Sequence, residues 1–87
     1  MTGPQGTRAM DTLQYTMIIE PARDKKGAIF CAFFPDLPGC TTMGATMDEL
    51  RENAVEAVAG HIEALKRLGK PVPQPNVWAT TVNIKAS

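Results

Sequence analysis

Phe34-Pro35-Asp36-Leu37-Pro38-Gly39-Cys40-Thr41-Thr42-Met43-Gly44-Ala45-Thr46-Met47-Asp48-Glu49-Leu50 is where the chain has to stop making one kind of structure and begin another. Pro35 and Pro38 lack a backbone donor, so no strand ladder runs through them. Pro38-Gly39 suits the two central places of a type II turn, the second of which needs a positive φ. A sharp bend is expected there, with Cys40 to Met43 as a short strand beyond it, ending at Gly44. Thr46-Met47-Asp48-Glu49 then fits a capping box, in which the Thr46 hydroxyl accepts from the Glu49 amide and the Glu49 carboxylate reaches back to the Thr46 amide. A helix is expected to start here.

Toward the C-terminus, 100° per residue gathers Met47, Leu50, Ala54, Ala57, Val58, His61, Ile62, Leu65 and Leu68 on one stripe, with Glu52, Glu56, Glu63 and Arg67 opposite. That stripe should lie on a sheet, with Arg51 at its edge, where a long side chain can reach water. Asp48, Glu49 and Glu52 early, and Lys66, Arg67 and Lys70 late, complement the helix dipole, and Gly69 supplies a stop. Pro71, Pro73 and Pro75 impose an extended connector. Beyond it, Trp78, Thr80, Val82 and Ile84 alternate with Val77, Ala79, Thr81 and Asn83, which predicts a further strand over 77–84.

Toward the N-terminus, Ala28 to Phe34 is almost entirely apolar, which predicts a central strand covered on both faces. Asp24-Lys25-Lys26-Gly27 reads as a hairpin loop joining it to a first strand, Leu13 to Pro21, with Leu13, Tyr15, Met17 and Ile19 on one face. Met1 to Asp11 has no periodicity and is expected to be a flexible tail, leaving residues 12–87 as a single domain. The fold class is therefore α+β: a three-stranded antiparallel sheet, a helix and a further strand. A sheet this small with one helix leaves a face or an edge uncovered, and self-association is the economical way to cover it.

Composition narrows the function. Nine basic and nine acidic side chains cancel, which removes the positive field of a typical nucleic-acid or membrane-surface binder. No run is apolar enough for a signal peptide or a membrane span, so a cytoplasmic location is expected, with Cys31 and Cys40 reduced. One histidine and two cysteines do not suffice for a dedicated zinc site.

The residue types able to carry chemistry each have a simpler explanation here. His61 falls within the apolar stripe, where a half-buried imidazole bonded to the sheet is the expected role, since a general base also needs a reacting partner in reach. Cys40 follows the turn with neither a histidine nor a helix start beside it to lower its pKa, and is read as a core side chain. Asp48, Glu49 and Glu52 cap the helix, Glu52 and Glu56 form a wet face, and Asp36 is expected to bond its own turn two residues on. Gly39 and Gly44 lack the spacing of a phosphate loop or a dinucleotide fingerprint, so no cofactor is implied. Lys25-Lys26 and Lys66, Arg67 and Lys70 are ordinary solvated charges. Trp78 is expected to anchor the core or an oligomer.

Taken together, the turn Pro35-Asp36-Leu37-Pro38-Gly39-Cys40, Gly44 and Thr46 ahead of Asp48-Glu49-Leu50, Asn53-Ala54 and Glu56-Ala57, and Gly69-Lys70-Pro71-Val72-Pro73-Gln74-Pro75 resemble the HicB-like antitoxin family over about two thirds of the chain. The resemblance implies a degraded ribonuclease-H-like fold without the acidic metal centre of true nucleases. It further implies a protein that forms dimers or larger assemblies and binds a small basic ribonuclease toxin, HicA-like, that cleaves messenger RNA. Many family members carry a C-terminal helix-turn-helix or ribbon-helix-helix domain. This sequence stops at Ser87 after the expected last strand, so direct DNA binding is not expected of it.

The reading is thus a non-enzymatic antitoxin that neutralises a toxin by association, with Trp78, Val82 and Ile84 as candidate oligomer or partner contacts and no metal or cofactor. Two rivals have concrete requirements. A small hydrolase would need His61 to meet Asp36 or Cys40 in one cleft. A stand-alone ligand-binding or sensor module would need a pocket at an oligomer interface, lined by Trp78 and the aromatics of the second strand.

Overall fold

The computed structural model describes residues 13–86; the tail expected over Met1 to Asp11 lies outside them. Strands β1 (Ile18–Asp24), β2 (Gly27–Phe33) and β3 (Thr41–Gly44) precede one helix, α1 (Met47–Arg67). The strands form an antiparallel sheet in the order β1-β2-β3, with β2 central. The chain is an α+β unit with the helix across one face.

β1 and β2 close on the pair Asp24 and Gly27. The Asp24 carboxylate accepts from the amides of Lys26 at 2.8 Å and Gly27 at 3.1 Å, and Gly27 takes a φ of 132°, a conformation that side chains disfavour. The first strand begins later than the expected Leu13. Its register sets Ile18 against Phe33, so Met17 would face Phe34, whose carbonyl is already taken by the Leu37 amide at 2.9 Å. The ladder stops there, and Leu13 to Met17 runs on outside it.

The turn follows the expected geometry. The Cys40 amide donates to the Leu37 carbonyl at 3.0 Å and Gly39 has a φ of 87°, as a type II turn with Pro38 and Gly39 at its centre requires. The bend drives Leu37 into the interior, where it is fully buried. Phe34, Leu37, Cys40 and Ala54 form the core cluster, with Tyr15, Met17, Ala57 and Val58 packed against it.

β3 delivers the chain to α1 at close range. A Cβ on Gly44 would stand 2.6 Å from the Leu50 nitrogen, so the first helical turn rides directly on the glycine. The Thr46 hydroxyl accepts from the Glu49 amide at 3.1 Å. The Glu49 carboxylate returns to the amide of Ala45, one residue before the expected Thr46. Asn53 adds a tie from the second turn, its side-chain amide donating to the Met43 carbonyl at 2.8 Å. At the far end Gly69, φ 69°, and Lys70 donate to the Lys66 and Leu65 carbonyls at 3.1 and 2.9 Å, which is a Schellman cap.

Only part of the helical stripe is covered. Leu50 and Ala54 are buried, Ala57, Val58, His61, Ile62 and Leu65 half-buried, and Leu68 exposed. The reason is length: α1 has 21 residues, about 31 Å of helix, whereas β3 has 4 residues, about 13 Å of strand. The last turns overhang the sheet.

The further strand expected over 77–84 forms no ladder among the described residues. Residues 70–86 take no regular secondary structure. The connector is attached beside Tyr15 and Thr16, where β1 has not yet begun, and so meets no strand edge that could receive it.

Candidate protein-interaction site

Asp36 holds the connector. Its carboxylate accepts from the amides of Asn76 at 2.8 Å and Val77 at 2.9 Å, so its role is a clamp across the chain and not the local turn bond expected of it. The turn itself is closed by backbone groups alone. Two side chains ahead of β1 complete the attachment: the Tyr15 hydroxyl donates to the Pro73 carbonyl at 2.6 Å, and the Thr16 hydroxyl donates to the Val77 carbonyl. Burial, and secondarily the Asp36 charge, pushes the Tyr15 phenol above its ordinary value and favours its neutral, donating form.

Beyond the clamp the chain is exposed throughout. Residues 76–86 all lie at the surface, with Trp78 91%, Val82 78% and Ile84 82% exposed. Among the described residues no backbone hydrogen bond ties residues 78–86 to the body. Trp78, Val82 and Ile84 are therefore not core residues within the chain.

Two further apolar surfaces stand open. Residues paired across the sheet share a face, and the register places Ile18, Ile29, Cys31, Phe33 and Met43 on the side away from the helix. Phe33 is 39% and Met43 55% exposed. The second cover expected over β2 is thus not supplied by the described residues. On the helical side, a groove of about 780 Å³ runs between Leu13 to Met17 and α1, floored by Phe34, Ala54, Val58 and Ile62, with Arg51 and Lys66 toward its two ends.

The candidates for chemistry do not converge. Asp36 is engaged by two amides, Cys40 is 5% exposed and His61 is half-buried on the helix. No hydrogen bond joins His61 to either among the described residues. Burial pushes the Cys40 thiol above its ordinary value, away from a reactive thiolate. Both cysteines are free thiols. Among the described residues no group of three or more His, Cys, Asp or Glu is placed to hold a metal ion, and no helix is long and apolar enough to cross a membrane. Trp78 and Phe34 line different hollows, the first beside Gln14 to Thr16 and the second under the helix.

A family model described as the HicB_like antitoxin of bacterial toxin-antitoxin systems matches residues 15–85. The chain belongs to the HicB-like antitoxin family. It is 37% identical over 71 residues to a UPF0150 protein of Thermoplasma acidophilum, covering 82% of this chain and 99% of the relative. A UPF0150 protein of Synechocystis is 33% identical over 70 residues, covering 80% of this chain and 85% of that one. An uncharacterized 14.9 kDa protein of Haemophilus phage HP1 is 34% identical over 69 residues, 79% of this chain and 49% of the phage protein. No solved structure matches significantly.

The matched region runs from Tyr15 to Lys85, so it takes in the clamp and nearly all of the exposed arm as well as the sheet and helix. In this HicB-like chain the Pro35 to Cys40 turn is a folding device: it buries Leu37, sets the chain toward β3 and presents Asp36 to the connector. Asp36, Gly44 and Asn53 carry contacts that local pattern cannot reveal. The one available signal was the glycine just ahead of the Thr46 cap, where a helix comes close to a strand.

Proposed function

We propose that this HicB-like protein neutralises a cognate messenger-RNA-cleaving toxin by binding it, catalyses no reaction and uses no metal or cofactor. The observation that carries the reading is the open face of the sheet. A neutral chain leaves Phe33 and Met43 exposed beside Ile18 and Cys31, and contiguous apolar surface with a polar rim marks a protein partner. The outer helix face adds exposed Glu52 and Glu56, which suits a small basic ribonuclease of the HicA-like kind and would speed its capture. Occupation of the toxin's surface, and not chemistry on RNA, accounts for inhibition. The acting unit is the single domain 12–87, working in the cytoplasm as a dimer or tetramer, without direct contact to DNA.

The test is co-expression with the products of the neighbouring genes, followed by affinity capture and intact mass measurement. A small basic protein should come with the chain in stoichiometric amount, and its cleavage of RNA should appear when the chain is removed and vanish when it is restored. Exchange of Phe33 for Asp should abolish capture while leaving the helical circular dichroism intact. Recovery of the chain with no such companion would overturn the reading.

A further inference from the structure

The groove on the helical side of the molecule has two walls of different kind. One is the segment ahead of β1, which contributes Tyr15 and Met17; the other is α1, which contributes Val55, Val58 and Ile62 over the Phe34 floor. Arg51 stands toward one end and Lys66 toward the other, both exposed, and among the described residues neither forms an ion pair. We propose that the groove binds a free long-chain carboxylate, the acyl chain laid along α1 and the carboxylate held by the Arg51 guanidinium.

The dimensions select a thin, linear occupant. From Arg51 to Lys66 the helix runs about 22 Å at about 1.5 Å per residue, so a volume of about 780 Å³ spread over that length leaves a mean section of about 35 Å². A partner helix, about 10 Å across, needs roughly 80 Å², and an extended peptide, about 4.8 Å by about 10 Å, needs roughly 48 Å². A hydrocarbon chain is slimmer than either. Its length also fits: the hydrocarbon core of a bilayer is about 30 Å thick and holds two layers of acyl chains, so one chain reaches about 15 Å and with its head group fills most of the groove. The volume falls within the roughly 300–1,000 Å³ of small-molecule pockets, which likewise pair an apolar lining with a few polar groups that fix orientation.

Charge decides the head group. An uncharged chain would cover the lining and leave both cations unmatched, whereas an anionic head matches one of them. Arg51 suits a carboxylate because its planar fork donates two parallel bonds to the two oxygens. It also sits on the stretch of α1 that carries the buried Leu50 and Ala54, where less water competes. Asp48 and Glu52 share that turn but line no part of the groove. Lys66 lies in the last turn of α1, beyond the end of the sheet, and adds a weaker attraction screened by solvent. A basic toxin would be repelled by the same two cations. The groove and the open face with Phe33 and Met43 lie on opposite sides of the sheet, so carboxylate binding needs no toxin and stands or falls apart from neutralisation.

The test uses the full chain and cis-parinarate, a polyunsaturated long-chain carboxylate whose emission rises when it leaves water, at concentrations where the probe alone stays dispersed. One probe should bind per chain, and palmitate should displace it. Hexadecanol, equal in chain length but uncharged, should compete more than about tenfold less well, the loss expected for a charged hydrogen bond. Arg51→Gln, at an exposed position, should weaken binding about tenfold, and Lys66→Gln by less. Val55→Glu, at a wall position that is 70% exposed, should abolish binding while the helical circular dichroism is kept. Equal competition by hexadecanol, or unchanged binding in Arg51→Gln, would overturn the proposal by removing the head group from recognition. Unchanged binding in Val55→Glu would overturn it by placing the chain elsewhere. So would probe emission that rises only on dilution to single chains, since a second copy would then fill the groove, and so would the absence of binding.

Discussion

The backbone of Leu50 lies so close to Gly44 that a Cβ on the glycine would meet the Leu50 nitrogen at 2.6 Å and its Cα at 2.8 Å. These are main-chain atoms of a capped helical turn and cannot swing aside as a side-chain end would. Gly44→Ala should therefore push α1 off β3 and cost about 1–3 kcal/mol, as other overpacked sites do. Urea denaturation of the two proteins measures it, and the loss should exceed that of alanine at Gly60, where a Cβ meets nothing within 4 Å.

The clamp should open without the body. Asp36→Ala removes the acceptor for the Asn76 and Val77 amides, both in exposed bonds, at about 0.5–1.5 kcal/mol per bond. Hydrogen exchange should show those two amides losing protection while the helical and sheet amides keep theirs. Equal loss across α1 would mean that the connector is integral to the core.

Thr46 caps the helix start, its hydroxyl taking the Glu49 amide at 3.1 Å. Thr46→Ala should lower stability by about 1 kcal/mol and Thr46→Ser should recover most of it. Thermal melts followed at a helical wavelength distinguish the two.

Tyr15 gives the protein an alkaline limit. Burial first, and the Asp36 charge second, hold the folded phenol above the ordinary 10.0, so the folded state keeps its proton where the unfolded chain has released it. The stabilisation from this group is complete below about pH 10 and is lost as pH rises through the higher folded value. This is the only tyrosine, so tyrosinate absorbance follows it alone. Tyr15→Phe should flatten that part of the stability profile and also release the Pro73 carbonyl.

The two thiols should differ in reactivity. Cys40 is 5% exposed and burial raises its pKa, whereas Cys31 is half-buried on the open face of the sheet. Brief treatment of the native protein with iodoacetamide should modify Cys31 ahead of Cys40, and urea should bring Cys40 into reaction. Peptide mass mapping reads the order.

What the sequence made legible was the part governed by near neighbours. Pro38-Gly39, the Thr46 cap and Gly69 each act within a few residues, and each adopts the geometry its chemistry demands. The apolar run of β2 correctly implied a central strand, yet it could not say that one face would remain open. Misreadings arose where a partner lay far along the chain. Asp36 looks like a turn residue because turn aspartates commonly bond locally, and its actual partners stand 40 and 41 residues on. The alternation at 77–84 reads as a strand whether or not an edge is available, and the edge depends on where Tyr15 and Thr16 fasten the connector.

The order of contacts has a further consequence, for folding and turnover. β1 packs with β2, β2 with β3 and β3 with α1, so the body is assembled almost wholly from consecutive elements, an arrangement that forms quickly. The connector closes the longest loops, with sequence separations of 58 and 61 at its tyrosine and threonine ties, and it does so through a few bonds, of which only the tyrosine's is partly buried. It should be the last part to form and the first to let go, in an opening that leaves sheet and helix standing. A protease that needs a loose end would find one at Pro71 to Val77 long before the core yields, so the lifetime of the molecule would be governed by that detachment and not by global unfolding.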